Sequence, residues 1–394
     1  MKIVFVSNYI NGHQTPFCEY MYQTDGVEFS FLQTQRMDEE RVKLGWSLDS
    51  SKIPYLFDYE TSSKSEIRQL LENADVIILG DAQIDILSYS LKETVLILFY
   101  RERLFKKKRT HAVLRKMRLW YKYVVRFRKH KTAVLCASAY AGADFNAIKA
   151  FRGNRYKWGY FPRFITYDID ELLDKKQKNV PTQLLWVGRL IDWKRCIDVL
   201  KLAKRLKEDN IRFQLTIVGT GTLENELREY VHCSGLSDCV VLIGSCPQAK
   251  VRMFMEKANI FVITSTHEEG WGAVVNEAMN SGCAVIGSHA AGSVPFLIQH
   301  ENNGLIYSCM DVEDLHACVR RCLDDPAFAR QMGRNAYQTI QEVWNAENAA
   351  GKLLRLIKHL TEKQEEDIDP TGPCSVAPIL GDYWFKDDDN ERKY

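Results

Sequence analysis

The chain has 394 residues, 46% of them hydrophobic, and a formal net charge of +2. That length is too great for one ordinary core and points to two domains. The near-neutral balance excludes a general polyanion binder, so local charge matters more than the total. The eleven cysteines include no Cys-x-x-Cys pair. Cys318 and Cys322 stand one helical turn apart without a histidine or second pair to complete a zinc set, so reduced thiols of a cytosolic protein are expected. No stretch approaches the ~20 apolar residues of a membrane span.

The first half alternates strands and helices. Residues 2–7 form a buried strand, with too short an apolar run for a signal peptide. A turn-rich loop over 8–14 comes next, then a helix start at Thr15-Pro16, with threonine as cap and proline at the first helical position. Strands are expected at 27–33, 75–79, 95–99 and 133–137, and helices over 65–73, along the basic segment 101–131, and over 139–151. The polar stretch 160–181 reads as a connection. Strands then recur at 183–187, 213–218, 240–243, 260–264 and 284–286, with helices between them, including 193–207 and 223–232. Three closing helices are expected at 311–324, 326–344 and 345–363, with a polar tail after them. This alternation means parallel sheets covered on both faces. The expected division is 1–162 as a first domain, 163–181 as linker, 182–363 as a second domain and 364–394 as tail.

The densest chemistry lies at Glu268-Glu269-Gly270-Trp271-Gly272-Ala273-Val274-Val275-Asn276-Glu277. Two carboxylates, Glu269 and Glu277, bracket a Gly-Trp-Gly loop that comes after an apolar strand and opens a helix. Gly270 and Gly272 let backbone approach a ligand, the helix N-terminus suits a phosphate, and the carboxylates accept hydrogen bonds from sugar and ribose hydroxyls. At an earlier strand end, Gly188-Arg189 and Lys194 place two cations suited to a diphosphate leaving group. The plain alternatives are a solvated loop for Arg189 and Lys194, an exposed loop acid for Glu269, and for Glu277 a favourable charge in a first helical turn.

Gly188-Arg189-x4-Lys194, Val218-Gly219-x-Gly221, Ile243-Gly244, Glu269-Gly270-Trp271-Gly272-x4-Glu277-Ala278, Gly282-x2-Val285-Ile286 and Gly304-Leu305 occur in this order. Over residues 183–310 this set resembles glycosyltransferase family 4, the retaining nucleotide-sugar transferases of the GT-B fold (glycosyl transferases group 1). The resemblance implies two Rossmann-like, doubly wound parallel-sheet α/β domains facing a cleft. It implies that Arg189 and Lys194 hold the donor diphosphate, Glu269 lies by the donor sugar and Glu277 holds the ribose. Gly270, Trp271, Gly272 and Ala273 then form the loop against sugar and phosphate, near Gly188 and Gly219, and Ile243, Gly244 and Ser245 dock the base.

Over the first half the resemblance rests on the strand–helix pattern and on Asn11-Gly12-His13-Gln14 after the first strand. Gly12 matches a glycine near the donor phosphate. His13 faces acceptor or donor, or is a plain loop histidine. Many relatives carry a histidine after a later strand of this domain; here that place reads Phe99-Tyr100-Arg101-Glu102-Arg103. Tyr100, Arg101 and Glu102 become the acceptor-side candidates, with Asp81 a further strand-end acid.

Residues 101–131 carry Lys106, Lys107, Lys108, Arg109, Arg115, Lys116, Arg118, Lys122, Arg126, Arg128 and Lys129, opposed only by Glu102. Val113, Met117, Trp120, Val124 and Phe127 recur at helical spacing as one apolar stripe. The stripe is expected to pack inward while the cations face an anionic membrane surface. Nucleic acid is not expected as a partner, because no binding module accompanies the charge.

The function so implied is metal-independent, retaining transfer of a sugar from a nucleotide-diphosphate sugar to a glycan or lipid-linked acceptor. It fits bacterial surface-polysaccharide synthesis, in the cytoplasm and peripherally on the inner face of the membrane. No cofactor beyond the donor substrate and no metal are expected. Asp168-Ile169-Asp170, Asp367-Ile368-Asp369 and Asp387-Asp388-Asp389 lie in the expected linker and tail. Two alternatives stay open: a GT-B sugar-nucleotide epimerase, which needs no acceptor, and a catalytically silent sugar-nucleotide-binding subunit.

Overall fold

The computed structural model describes residues 1–37, 48–106, 112–362 and 368–385. They divide into two units, Met1–Arg163 with Asn345–Gly381, and Phe164–Trp344 with Asp382–Tyr394. Lys107, Lys108, Arg109, Asp367 and Asp387-Asp388-Asp389 lie outside the described residues.

The first unit holds strands β1 Lys2–Ser7, β2 Glu28–Gln33, β3 Leu56–Asp58, β4 Val76–Leu79, β5 Leu96–Arg101, β6 Lys131–Cys136 and β7 Arg155–Lys157. They form one sheet in the order β3-β2-β1-β4-β5-β6-β7, with every pair parallel. Helices α1 Thr15–Gln23, α2 Lys64–Glu72, α3 Ala112–Trp120 and α4 Ala141–Ala147 connect them. Parallel strands buried on both faces read as continuous apolar runs, as Val76–Leu79 does. Helix α2 begins at a capping box. Ser63 accepts from the Glu66 amide and the Glu66 side chain reaches back to the Ser63 amide.

The second unit holds helix α5 Ile169–Gln177 and strands β8 Thr182–Val187, β9 Phe213–Val218, β10 Val240–Gly244, β11 Ile260–Ile263, β12 Ala284–Ser288 and β13 Leu305–Tyr307. Their order is β10-β9-β8-β11-β12-β13, again all parallel. Between and after them run α6 Cys196–Glu208, α7 Glu224–Cys233, α8 Gln248–Lys257, α9 Val274–Asn280, α10 Val294–Leu297, α11 Val312–Asp324 and α12 Pro326–Glu342. In each sheet the order reverses beside the first strand of the unit, between β1 and β4 and between β8 and β11. Such a switch point opens a crevice at the carboxyl ends of the strands, where ligands of doubly wound folds bind.

Three expectations change. Residues 163–181 are not a plain connection: Asp168 caps α5 by accepting from the Glu171 amide at 3.0 Å, and Asp170 pairs with Arg334. The last helix, α13 Ala346–Glu362, belongs to the first unit rather than closing the second. Its buried face includes Ala349, Ala350, Leu353, Leu356 and Ile357, and an amphipathic pattern states that a helix is covered without stating by which sheet. The tail is also partly structured. Lys157 and Cys374–Ser375 exchange backbone bonds of 2.7 and 2.8 Å, and the Ala377 amide donates to Arg155 at 2.9 Å. This covers the exposed edge of β7.

The basic segment departs furthest from its expected packing. Phe127 is buried and Val124 packs on the same core beside Phe99. Val113, Met117 and Trp120 instead face outward. A five-residue π turn over Tyr121–Val125, which contains Val124, lies between Trp120 and Phe127. Such a turn rotates the residues C-terminal to it relative to an α-helical stripe, so one periodic pattern serves two faces. No described helix is long and apolar enough to cross a membrane.

Candidate functional site

Around the switch point of the second unit, three strand-end loops meet backbone to backbone. The Gly188 amide donates to Val218 O at 3.0 Å, Leu190 to Thr220 O at 2.9 Å and Gly219 to Gly244 O at 2.8 Å. Gly219 has φ +142°, and a Cβ there would lie 1.8 Å from the Gly188 carbonyl oxygen. Only glycine permits that approach. The loops after β8, β9 and β10 are thereby held together.

After β8 the chain turns through Asp192–Lys194, with Arg195 left-handed at φ 54°. Hydrogen bonds fasten this turn to the end of β11. The Thr264 hydroxyl donates to Lys194 O at 2.7 Å and accepts from Trp186 Nε1 at 2.9 Å. The Thr266 amide donates to Trp193 O at 2.9 Å. Lys194 Nζ then reaches Glu269 Oε2, and both side chains are largely shielded, at 14% and 9% exposure. Ser265 Oγ donates to the same carboxylate oxygen at 3.0 Å. The Trp193 ring carries both cations, with Arg189 Cζ 5.8 Å and Lys194 Nζ 4.7 Å from its centroid. Arg189 itself is exposed. The structure therefore assembles Arg189, Lys194 and Glu269 across the β8/β11 switch point. Trp193 and Ser265 complete the cluster; they stood in the sequence without a motif to mark them.

Glu277 has a different partner, with Oε1 4.0 Å from Arg252 Nη2. Arg252 also donates to Glu277 O at 2.9 Å and to Asn280 Oδ1 at 3.2 Å. Arg252 was missed because α8 has only a weakly periodic sequence. Gly270 and Ala273 are buried in the loop, and Gly272 is left-handed at φ +91°. Trp271 does not turn toward a ligand: its ring is fully buried against Phe296 and Trp344, and Nε1 donates to Asn276 Oδ1 at 2.9 Å. It contributes backbone to the loop and anchors it from behind. Ile243 is partly exposed at the end of β10, beside Gly244 at φ +81° and the exposed Ser245.

In the first unit Gly12 and His13 occupy the turn after β1, where the His13 amide donates to Asn11 Oδ1 at 3.0 Å. The His13 ring stacks on Tyr160 at 5.9 Å. The Tyr160 hydroxyl donates to Glu102 Oε1 at 2.6 Å, and Tyr100 meets Tyr160 edge-on at 6.1 Å. Burial first, and the Glu102 charge second, push the Tyr100 phenol well above its usual range. His13, Tyr100 and Glu102 thus gather around Tyr160. Arg101 does not join them. Successive strand residues point to opposite faces, and its guanidinium donates to Leu79 O and Tyr100 O at 3.1 Å and to the Tyr123 hydroxyl at 3.3 Å. Asp81 is exposed after β4.

Residues 168–339 match the family model described as glycosyl transferases group 1. The chain is 28% identical over 185 residues to the amylovoran biosynthesis glycosyltransferase AmsK of Erwinia amylovora, covering 46% of this chain and 45% of that protein. It is 29% identical over 166 residues to glycogen synthase of Mycobacterium tuberculosis, covering 42% of this chain and 40% of that protein. The chain thus spans less than half the length of either relative. A crystal structure of Anabaena HepE in complex with UDP superposes with a TM-score of 0.66 at 15% identity, covering 91% of this chain and all of that one. That likeness is one of fold: two parallel-sheet α/β domains of the GT-B kind. Over residues 168–339, less than half of its length, the chain is thus similar to the glycosyl transferases group 1.

Proposed function

We propose that this protein is a metal-independent, retaining glycosyltransferase that moves a sugar from a nucleotide-diphosphate sugar to a hydroxyl of a glycan or lipid-linked acceptor in surface-polysaccharide synthesis. The observation that carries the proposal is the cluster of Arg189, Lys194 and Glu269 at the β8/β11 switch point. Two cations on one indole platform match the two charges of a departing diphosphate. Both contacts to the Glu269 carboxylate use Oε2, and Oε1 accepts a hydroxyl of the donor sugar. Glu277 accepts from the ribose. The bond between the anomeric carbon and the diphosphate breaks as the acceptor oxygen attacks from the same face. The departing phosphate takes the acceptor proton, so no dedicated base is required. Acceptor-side contacts come from the His13, Tyr100 and Glu102 group. The amylovoran relative supports a polysaccharide acceptor, and the UDP-bound structural neighbour supports a nucleotide-sugar donor.

A thermal-shift screen of nucleotide sugars is the first test, because a ligand at a hundredfold its Kd stabilises a fold by about 2.7 kcal/mol. Arg189→Ala should leave the melting temperature of the free protein within a degree or two, since the residue is exposed and rests on the Trp193 ring. It should lower turnover by about a hundredfold or more. Unchanged turnover in that variant would remove Arg189 from the mechanism.

A further inference from the structure

We infer that helix α3 and the turn after it dock the first unit on an anionic lipid bilayer, with Val113, Leu114, Met117, Trp120 and Tyr121 entering the boundary between headgroups and acyl chains. This goes beyond the transferase proposal and does not depend on donor chemistry.

These five side chains are 71%, 61%, 62%, 45% and 59% exposed, an unusual density of large apolar groups in water for nine consecutive residues. At about 100° per residue, Val113, Met117 and Trp120 share one arc of roughly 60°. Leu114 and Tyr121 border it. Lys116 falls on one flank of the arc and Arg118 on the other, both exposed. The face that the fold uses is the opposite one. Arg115 Nη2 donates to Leu104 O at 2.5 Å, Leu119 packs on the core and Tyr123 is buried within it. The helix therefore carries two apolar faces, and the domain consumes only one.

Charge identifies the occupant of the other. No acidic residue occurs between Arg103 and Lys131. Arg126 turns to Asp85, while Lys116, Arg118, Lys122, Arg128 and Lys129 remain exposed. An apolar stripe edged by cations matches acyl chains under anionic headgroups. A second copy of this chain would bring like charge to the same face. Nucleic acid would use the cations but leave Val113, Leu114 and Met117 in water.

The test is flotation of the full chain with vesicles of phosphatidylcholine alone or mixed with phosphatidylglycerol. The wild type should float with the mixed vesicles and stay behind with the neutral ones. Lys116→Ala with Arg118→Ala should weaken binding roughly thirtyfold, each cation contributing a factor of about five. Met117→Glu with Trp120→Glu should abolish it. All four positions are solvent-facing, so unaltered unfolding curves and unaltered nucleotide-sugar stabilisation serve as folding controls. Wild-type protein left in the soluble fraction with mixed vesicles would overturn the proposal. So would a Met117→Glu, Trp120→Glu variant that floats like wild type, or a solution dimer that this variant dissolves. Failure of nucleotide sugars to stabilise the wild type would refute the transferase proposal while leaving the lipid result intact.

Discussion

Glu269→Ala is expected to lower sugar transfer by about a hundred- to a thousandfold and the stability of the second unit by about 3 kcal/mol. The two effects share one cause. Lys194 and Glu269 are 14% and 9% exposed, so theirs is a desolvated pair rather than a surface ion pair worth less than about 1 kcal/mol. Removing the carboxylate leaves an ammonium shielded from water with its charge unmatched, and leaves Ser265 Oγ without its acceptor. A nucleoside diphosphate should then restore more stability to the variant than to the wild type, because its phosphates supply the missing anion. Urea unfolding with and without the nucleotide, beside a transfer assay, checks each part. If transfer in Glu269→Ala stays within a few-fold of wild type, the carboxylate has no part at the donor sugar.

Gly219→Ala should be the most damaging single methyl group in the second unit, costing about 4 kcal/mol. The backbone there has φ +142°, and the new Cβ would sit 1.8 Å from the Gly188 carbonyl oxygen. Neither atom belongs to a flexible side chain, so the β8 and β9 loops must separate. Their separation would also move Arg189 and the turn that carries Lys194. Gly235→Ala is the matched control. It too is left-handed, at φ +65°, but its Cβ would meet nothing within 4 Å, so only backbone strain of about 1 kcal/mol is expected. Equal unfolding midpoints for the two variants would show that the close approach of the loops does not matter.

Much of this arrangement was legible in the chain. The strands at Lys2–Ser7, Phe213–Val218 and Ile260–Ile263 announced themselves as apolar runs between turn residues, because a parallel strand is covered on both faces. Gly272 was readable as a place where the backbone needs a residue without Cβ, whereas Gly219 stood only in a Gly-x-Gly sequence that serves any tight turn. The short strands Leu56–Asp58 and Arg155–Lys157 were not legible; three residues carry too little period, and their places at the sheet edge are set by their neighbours. Arg252 gave no signal either, since its bond to Glu277 O comes from a helix 25 residues away in sequence.

Order and spacing along the chain by themselves determined two alternating α/β units and the residue types gathered at their strand ends, because hydrophobic period and glycine punctuation are local properties. Tertiary structure alone decided that Lys194 meets Glu269 across 75 residues, that Arg101 turns away from Tyr100 and Glu102, that Ala346–Glu362 returns to the first unit, and that Val113, Met117 and Trp120 look outward. Each of these depends on which surface a side chain finds opposite it, and amphipathic periodicity marks that a face is apolar without naming what covers it.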